Sequence, residues 1–419
     1  MPAMKVVVLG GGVVGVTTAY YLSADGHEVE VLDRCEGPGL ETSFANGGQL
    51  VASHAEPWAS PKAPLQILKW LGRADAPLLF RLRADPAMWA WGLRFLRNCT
   101  AARYHAGTAR NLRLGIYNRA LLATLRSELG IEYDQAQSGS LLVHRDPAGF
   151  EDGVRHAAFM TELGAPHEVA DPVRCIEIEP ALTPVGNQIA GGLFCPDDEI
   201  GDAFKFTEQI AAICRKQGVR FRYGTRVDGI ETERGRIALV ASDDGPISGD
   251  AYVLALGSFS ALLARRIGVR LPVYPVKGYS ITAPIEDSAA SPNVGLTDVD
   301  TKIVMTRLGN RLRVAGTAEF TGYDNAENPK RGALTVRSAR ALLPGACDYD
   351  KAEHWSGLRP ATPDQVPVLG PSKYPNLWLN TGHGVLGWTQ ACASGRIVGD
   401  LIAGRDPGID LNGMTVGRF

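Results

Sequence analysis

The pattern with the clearest chemistry is a set of glycines near the start of the chain. Gly10, Gly12 and Gly15 follow the apolar run at 5–9 in the spacing Gly-x-Gly-x-x-Gly. Such glycines let the backbone turn tightly and approach a pyrophosphate, which the positive N-terminus of the next helix stabilises. Asp33 follows at about the 20-residue distance expected of an acid that binds a ribose. The pattern predicts a dinucleotide site; the alternative is that the glycines only close a tight turn.

A polar, glycine-rich loop after Asp33 favours FAD over a nicotinamide cofactor. Arg34 comes first, and the segment 41–49 then reads ETSFANGGQ. Its side-chain oxygens and backbone N–H groups suit the pyrophosphate and flavin of a long cofactor. The residues predicted from this pattern to contact the cofactor are Ser43, Asn46, Gly47 and Gly48. A solvated loop is the alternative.

A second glycine-opened helix start lies at 381–389, near the end of the chain. Backbone N–H groups at such a start would stabilise negative charge at the N1–C2=O edge of a reduced flavin. His383 is either a charged neighbour of the flavin or a capping residue. This second segment disfavours hydride transfer to a nicotinamide.

Arg359 is the candidate for holding a substrate carboxylate. It lies in the Gly- and Pro-rich stretch 355–364, and a guanidinium can pair with a carboxylate through two hydrogen bonds, which a lysine cannot reproduce. Tyr279 could add a phenol to the same carboxylate. The alternative for Arg359 is a structural bond that ties its loop to the body of the protein.

The surrounding pattern predicts the elements that position these residues. A strand at 5–9, a helix at 13–24 and a strand at 28–33 form a βαβ unit. Helices are expected at 108–129, 150–164, 203–217 and 385–403, and short alternating strands at 276–282, 303–306 and 311–316. The fold class is therefore α/β, with a Rossmann-like FAD-binding domain and an interleaved α+β substrate domain on a mixed, largely antiparallel sheet.

The domain boundaries follow from this change of pattern. We assign residues 1–60, 195–270 and 355–419 to the FAD-binding domain, and residues 61–194 and 271–354 to the substrate-binding domain.

The segment 64–99 alternates Leu, Trp, Phe and Met with Arg and Lys. Two amphipathic helices packed on the body of the protein are one interpretation. A patch that faces a membrane surface or a quinone is the other, because aromatic and basic side chains together suit the lipid headgroup zone.

Composition excludes several classes of function. The formal net charge of −2 over 419 residues gives no global field for nucleic acid. The seven cysteines are scattered and never spaced as Cys-x-x-Cys, which argues against a disulfide framework and a metal cluster. No apolar run reaches the roughly 20 residues of a membrane span. We expect a cytoplasmic protein, with contact to the inner face of the membrane left open.

At these segments the sequence resembles the D-amino-acid dehydrogenase small-subunit family, within the FAD-dependent amino-acid oxidoreductases that include D-amino acid oxidase and glycine oxidase. The matching stretches run through nearly the whole chain: VVVLGGGVVGVTTAYYLSADGHEVEVLDR, LETSFANGGQL, PVYPVKGYSIT, SGLRPATPDQVPVLG and NLWLNTGHGVLGWTQACASG. Two departures are Gly47, where relatives often have Ala, and His54, where some have Tyr.

The resemblance implies a role for each matching residue. The ADP part would be held by Gly10, Gly12, Val13, Val14, Gly15, Asp33 and Arg34, with Val227 against the adenine and Gly257 beside the cofactor. The flavin would lie near Thr42, Ser43, Asn46, Gly47, Gly48 and Gln49. Its pyrimidine edge would lie against Gly384, Val385, Leu386, Gly387, Trp388 and Thr389. Arg359 would receive the carboxylate, with Tyr279 and His54 near the substrate.

The resemblance also implies the reaction: a D-amino acid loses hydride from its α-carbon to flavin N5, and water converts the imino acid to a 2-oxo acid and ammonia. Electrons would pass to a quinone or another respiratory-chain acceptor. No protein base is assigned. Two alternatives stay open: a flavin dehydrogenase for L-proline, hydroxyproline or an N-methyl amino acid, and a non-catalytic electron-transfer subunit.

Overall fold

The computed structural model describes residues 2–73, 75–81 and 83–419; Met1, Ala74 and Leu82 lie outside the described residues. The strands are β1 Lys5–Leu9, β2 Glu28–Leu32, β3 Gln49–Leu50, β4 Leu78–Phe80, β5 Ser140–His144, β6 Glu168–Ala170, β7 Gly191–Cys195, β8 Glu199–Ile200, β9 Arg220–Arg222, β10 Val227–Glu233, β11 Arg236–Ser242, β12 Gly245–Ile247, β13 Ala251–Leu254, β14 Tyr274–Pro284, β15 Gly295–Asp298, β16 Ile303–Leu308, β17 Arg311–Phe320, β18 Glu353–Ala361, β19 Val368–Pro371 and β20 Leu377–Thr381.

The α-helices are α1 Val13–Ala24, α2 Ala63–Trp70, α3 Pro86–Asn98, α4 Ala101–Leu129, α5 Pro147–Glu162, α6 Pro172–Ile178, α7 Ala203–Lys216, α8 Ser260–Arg266, α9 Pro329–Leu342 and α10 Gly387–Ile402. Short 3-10 helices cover Ala52–His54, Pro180–Gln188, Gly257–Phe259, Tyr349–Lys351 and Val416–Arg418.

The first sheet has the order β19-β20-β13-β1-β2-β9 and is parallel apart from β19. Its central strand β1 is buried on both faces. Val6 and Val8 pack in one core with α1, α7 and α10, while Val7 and Leu9 pack in another with α8 and the small β10-β11-β12 sheet. Because the carboxyl ends of parallel strands meet at one edge, α1 and α10 both begin at that edge. The predicted Rossmann-like unit is confirmed.

The helices α1 and α10 pack closely enough to hold their two starts in a fixed relation. A Cβ at Gly395 of α10 would lie 2.9 Å from the backbone of Thr17. The Thr17 hydroxyl donates to the carbonyl of Ala391 at 2.9 Å. A side chain at position 395 would therefore separate the two helices.

The second sheet has the order β18-β14-β17-β16-β15-β5-β7-β6, with β4 pairing beside β17. Its pairs are antiparallel apart from β15–β5 and β4–β17. The helix α9 and the 3-10 helix Pro180–Gln188 cover one face over an apolar core. The predicted mixed, largely antiparallel sheet is confirmed.

The chain crosses between the two sheets several times, as an interleaved arrangement requires. Residues 355–361, which the sequence grouped with the cofactor domain, lie in β18 of the second sheet. The helix α4 packs against α10 of the first unit, although it falls within the predicted substrate domain. The domain boundaries stay a prediction.

The segment 64–99 forms the two expected amphipathic helices, α2 and α3, with the strand β4 between them. Met88, Trp91 and Phe95 bury one face of α3. The outward faces are also apolar, since six large side chains are exposed: Leu65, Leu68, Leu71, Trp89, Leu93 and Leu96. Among the described residues, no helix combines the length and apolar composition needed to cross a bilayer.

Candidate active site

The first helix start is shaped for close backbone contact. Gly10 has φ +114°, and a Cβ there would collide with the carbonyl of Ala255. A Cβ at Gly15 would collide with the carbonyl of Gly10. The first turn of α1 carries no acidic residue, and its Val13 N–H donates to Ser43 at 3.1 Å. The helix start therefore keeps a partial positive charge that an anion can use.

Asp33, at the end of β2, is fixed by the backbone around it. One carboxylate oxygen accepts from Gly11 N at 2.6 Å and the other from Cys35 N at 2.8 Å. Burial raises the pKa of Asp33. Each oxygen keeps a lone pair, so the carboxylate can still accept a hydroxyl of a ribose.

Arg34, Val227 and Gly257, which are predicted to bind the ADP part of the cofactor, all line the same cavity. The Arg34 guanidinium lies 4.1 Å over the ring of Phe259 and pairs with Glu41. Gly257 has φ +52° and accepts a hydrogen bond from Thr381.

The loop 41–49 is tied to the second sheet at several points. Thr42 donates to the carbonyl of Leu358 at 3.0 Å, and Thr306 donates to that of Gly47 at 2.8 Å. Arg313 donates to the carbonyl of Asn46 at 2.8 Å. Burial lowers the pKa of Arg313 to about 10, so it is still a cation at neutral pH. These bonds hold the loop between the two sheets.

The second helix start follows β20. Gly382 and Gly384 have φ of +81° and +57°, and α10 then begins without a side-chain cap among the described residues. His383 is buried and bonds to Ser394 Oγ at 2.9 Å. Burial lowers the pKa of His383 to about 3, so the imidazole is neutral at physiological pH. It is therefore not a charged neighbour of the flavin in this pH range.

Arg359 lies on β18 with its guanidinium over Gly278 of β14, where a Cβ would collide with it. Its nearest polar partner is the carbonyl of Thr317, at 3.5 Å. Within residues 2–73, 75–81 and 83–419, no carboxylate pairs with this side chain. Burial lowers the pKa of Arg359 to about 10. A desolvated cation facing a cavity attracts an anionic ligand strongly.

Tyr279 and His54 have partners that the sequence did not suggest. The Tyr279 O–H donates to the buried carboxylate of Glu319, so its phenol oxygen has only acceptor capacity left for a ligand. His54 Nδ1 lies 3.1 Å from Oε2 of Glu56. The roles of Tyr279 toward a carboxylate and of His54 toward a substrate stay predictions.

A single cavity of about 1240 Å³ joins these features. This exceeds the roughly 300–1,000 Å³ of common small-molecule sites, as expected for a dinucleotide together with a substrate. Every residue predicted to contact cofactor or substrate lines it apart from Gly15 and Gly48. Gly15 packs against the carbonyl of Gly10, and Gly48 packs against Thr306 and Leu308. The roles of the individual residues stay predictions.

One part of the cavity wall is made of aromatic and aliphatic side chains, and this part is called the aromatic arm below. This aromatic arm is lined by Trp58, Ile67, Trp70, Leu78, Phe80, Met88, Trp91, Phe95 and Phe320. It borders the exposed apolar faces of α2 and α3, because Leu71, Leu93 and Leu96 belong both to its lining and to that surface.

Sequence reasoning missed several polar residues of the cavity wall, among them Glu56, Tyr104 and Lys302. They come from a loop, from α4 and from the turn before β16, and no motif marks any of them. Among the described residues, no group of three or more His, Cys, Asp or Glu side chains could hold a metal ion.

Comparison with known proteins gives consistent results. A family model described as FAD dependent oxidoreductase matches residues 5–401. The chain is 53% identical to a D-amino acid dehydrogenase of Paramagnetospirillum magneticum over 417 residues, 99% of each chain. It is 46% identical to a D-amino acid dehydrogenase of Bradyrhizobium diazoefficiens, again over 99% of each.

Solved structures share the fold at lower identity. Glycine oxidase from Geobacillus kaustophilus superposes with a TM-score of 0.78 at 23% identity, covering 100% of this chain and 99% of the other. L-proline dehydrogenase from P. horikoshii gives 0.76 at 19% identity, covering 96% and 94%. At such identities the likeness concerns the architecture alone.

Proposed function

The chain belongs to the FAD dependent oxidoreductase family, and on that premise we propose that it oxidises D-amino acids to 2-oxo acids and ammonia. The observation that carries the proposal is Arg359. This cation has no carboxylate partner among the described residues, and it faces the same cavity as the two helix starts. A pure electron carrier would have no use for such a group.

The residues present fit FAD. The start of α1 offers backbone N–H groups to a pyrophosphate, and Asp33 offers a carboxylate to a ribose. The start of α10 lies on the same cavity, where its partial positive charge would stabilise an electron-rich flavin edge. When bound, FAD supplies the acceptor for the hydride that leaves the substrate.

The protein's own contribution is chiefly positioning. Arg359 would hold the substrate carboxylate through two parallel hydrogen bonds, which fixes the direction of the α-carbon. The phenol oxygen of Tyr279 can accept a hydrogen bond from the substrate's amino group, since its own hydrogen is given to Glu319. The mainly apolar wall of the cavity would strengthen both contacts.

The test is anaerobic mixing of the purified flavoprotein with separate panels of D- and L-amino acids, including L-proline, while the flavin absorbance is followed. Bleaching by the D panel is expected. Arg359→Ala should keep the flavin and lower kcat/KM about 100-fold or more, because one partner of a desolvated charge pair is lost. Arg340→Ala, on the outer face of α9, is the matched control. Bleaching only by L-amino acids, or normal turnover by Arg359→Ala, would contradict the proposal.

For the electron acceptor, we propose a membrane quinone that approaches through the aromatic arm. Exposed apolar side chains of α2 and α3 adjoin the arm, since Leu93 and Leu96 are exposed and also line the cavity. The stretch 62–103 carries eight Lys or Arg against two Asp. Exposed apolar side chains on a segment rich in basic residues would suit a membrane with anionic headgroups and an apolar interior, in which a quinone dissolves.

The test of this acceptor is the double variant Leu68→Glu/Leu93→Glu, since both side chains are exposed. The control is Val173→Glu on α6, where the valine is 66% exposed. Vesicles of anionic phospholipid containing a quinone are the probe. The double variant should lose vesicle binding and quinone reduction about 10-fold while reduction of a soluble dye stays unchanged. An equal loss of activity with the dye and with the quinone would contradict the proposal that the quinone approaches at this surface.

A further inference from the structure

The polar cluster around Glu56 has no part in the function described so far. Glu56 lies between two imidazoles: His54 Nδ1 is 3.1 Å from its Oε2, and His156 Nε2 is 2.6 Å from its Oε1. The exposed fraction of the side chain is 44% for His54, which lines the cavity, 15% for Glu56 and 27% for His156 on α5. The three groups therefore run from the cavity wall to the protein surface.

The oxidation of an amino acid needs such a route. A free amino acid arrives with its nitrogen as an ammonium, which has no lone pair to form the C=N bond. One N–H proton must leave before or with the hydride, and it must then leave a cavity whose wall is mainly apolar. The other histidine of the wall, His383, cannot take that proton at neutral pH, because burial lowers its pKa to about 3.

We propose that His54, Glu56 and His156 form a chain that takes the proton from the substrate's ammonium group and carries it out of the cavity. The inference rests on the proposed function, since it requires an amino-acid substrate.

Each step moves one proton and no electrons. An N–H bond of the ammonium breaks, the proton bonds to Nε2 of His54, and the electron pair stays on the amine nitrogen. His54 then passes its Nδ1 proton to Glu56. Glu56 passes a proton to the lone pair on Nε2 of His156 in its Nδ1–H tautomer, and His156 releases its Nδ1 proton to water. The nitrogen lone pair would then form the C=N bond as the α-hydrogen leaves with both electrons of the C–H bond, which bound FAD would accept as hydride.

The surroundings of the chain support this direction. Burial alone would lower the pKa of His54, but the Glu56 carboxylate raises it. Burial alone would raise the pKa of Glu56, but His54 and then His156 hold it well below its usual range. With an ionised Glu56 beside Nδ1, the neutral form of His54 keeps its hydrogen there and leaves Nε2 free to accept a proton.

The charged and titratable groups that act on the chain from other elements are Lys302 before β16, Asp198 before β8, Tyr104 on α4 and His167 before β6. The turn that carries His54 is itself fixed. Ser53 donates its backbone N–H and its hydroxyl to the buried carboxylate of Asp198. His54 is thereby held against Glu56 rather than left mobile in the cavity.

The first test is the pH dependence of flavin reduction in anaerobic stopped flow, with the D-amino acid that reduces the flavin fastest. The rate should rise with pH through an inflection above 6.5, because neutral His54 is the active form. His54→Asn should remove this inflection and slow reduction about 100-fold. Glu56→Gln should move it to lower pH, which a substrate ammonium would not do. His105→Asn, exposed on α4, is the matched control. An inflection that survives His54→Asn overturns the proposal.

Two further measurements do not depend on the rate of turnover. In histidine-labelled holoenzyme without substrate, NMR titration should show a lower pKa for His54 in Glu56→Gln than in the native protein. An unchanged pKa of His54 would overturn the proposed proton path.

In His156→Asn, an indicator dye should show that the rate of proton release falls about 10-fold below the rate of flavin reduction. Simultaneous proton release and flavin reduction would show that His156 is not part of the path. If no amino acid reduces the flavin, the proposed function has failed instead, whereas normal reduction by His54→Asn leaves that function intact.

Discussion

The two ends of the cavity are built by different means. At the proposed cofactor end the backbone shapes the wall: Gly10 and Gly15 allow close approach, and Asp33 is fixed by two backbone N–H groups. At the proposed substrate end the polar groups are side chains, Arg359 from β18 and Glu56 from a loop. A site made by closely packed backbone has no room for an added Cβ atom. A site made by side chains loses binding when a charged group is removed or turned away from the ligand. Substitutions at the two ends should therefore fail differently.

The largest effect is expected at Gly15. In an ordinary helix Gly→Ala stabilises by about 1 kcal/mol, but here the new Cβ would meet the carbonyl of Gly10. We expect Gly15→Ala to lower the unfolding free energy by about 3 kcal/mol and to yield protein without flavin. Thermal unfolding and the ratio of flavin to protein absorbance measure both. Gly92→Ala in α3, where no atom lies within 4 Å of the new Cβ, should stay yellow and stable. A yellow, stable Gly15→Ala protein would remove the distinction between the two ends.

Gly278→Ala should separate the substrate end from the cofactor end. Its Cβ would displace the guanidinium of Arg359 without touching the loop at 10–15. We expect full flavin content and a fall in kcat/KM of about 100-fold, as for loss of a charge-assisted pair. Steady-state kinetics and flavin absorbance are the measurements. If Gly278→Ala acts by displacing Arg359, the double variant Gly278→Ala/Arg359→Ala should have the same kcat/KM as Arg359→Ala alone. A kcat/KM that falls by the product of the two single-variant losses would refute this.

The same contrast explains what could be predicted from sequence. Gly10, Gly15 and Asp33 form a local pattern because one strand-turn-helix-strand unit makes the cofactor end, so their spacing is readable. His156 and Glu56 lie on separate elements, and only the tertiary fold brings them together. Tyr279 was identified as a phenol near the substrate, but its partner Glu319 comes from β17 and no spacing predicts the pairing. The amphipathic faces of α2 and α3 were readable, whereas the aromatic arm that they enclose was not.

His383 offers a pH test at the second helix start. Its pKa is lowered to about 3 in the folded protein, against about 6.5 when unfolded, so the unfolded chain binds the extra proton. Stability from this group is therefore complete above about pH 6.5 and is lost as pH falls. Between pH 7 and pH 5 the loss should be about 2 kcal/mol. Denaturant unfolding of His383→Gln should show a shallower acid slope than the native protein. Equal slopes would mean that the imidazole is not buried in its neutral form.

The smallest effect is expected at Thr42, whose hydroxyl bridges the two ends by donating to the carbonyl of Leu358, next to Arg359. That carbonyl also accepts from Ser258 at 3.0 Å. Thr42→Val alone should therefore weaken binding of FAD and of substrate by about 1 kcal/mol or less. This corresponds to a rise of at most roughly 5-fold in the Kd for FAD and in KM. Ser258→Ala should behave alike. The double variant leaves the Leu358 carbonyl without either donor, so its loss should exceed the sum of the two single losses. Strict additivity would show that this carbonyl does not couple the cofactor loop to the arginine strand.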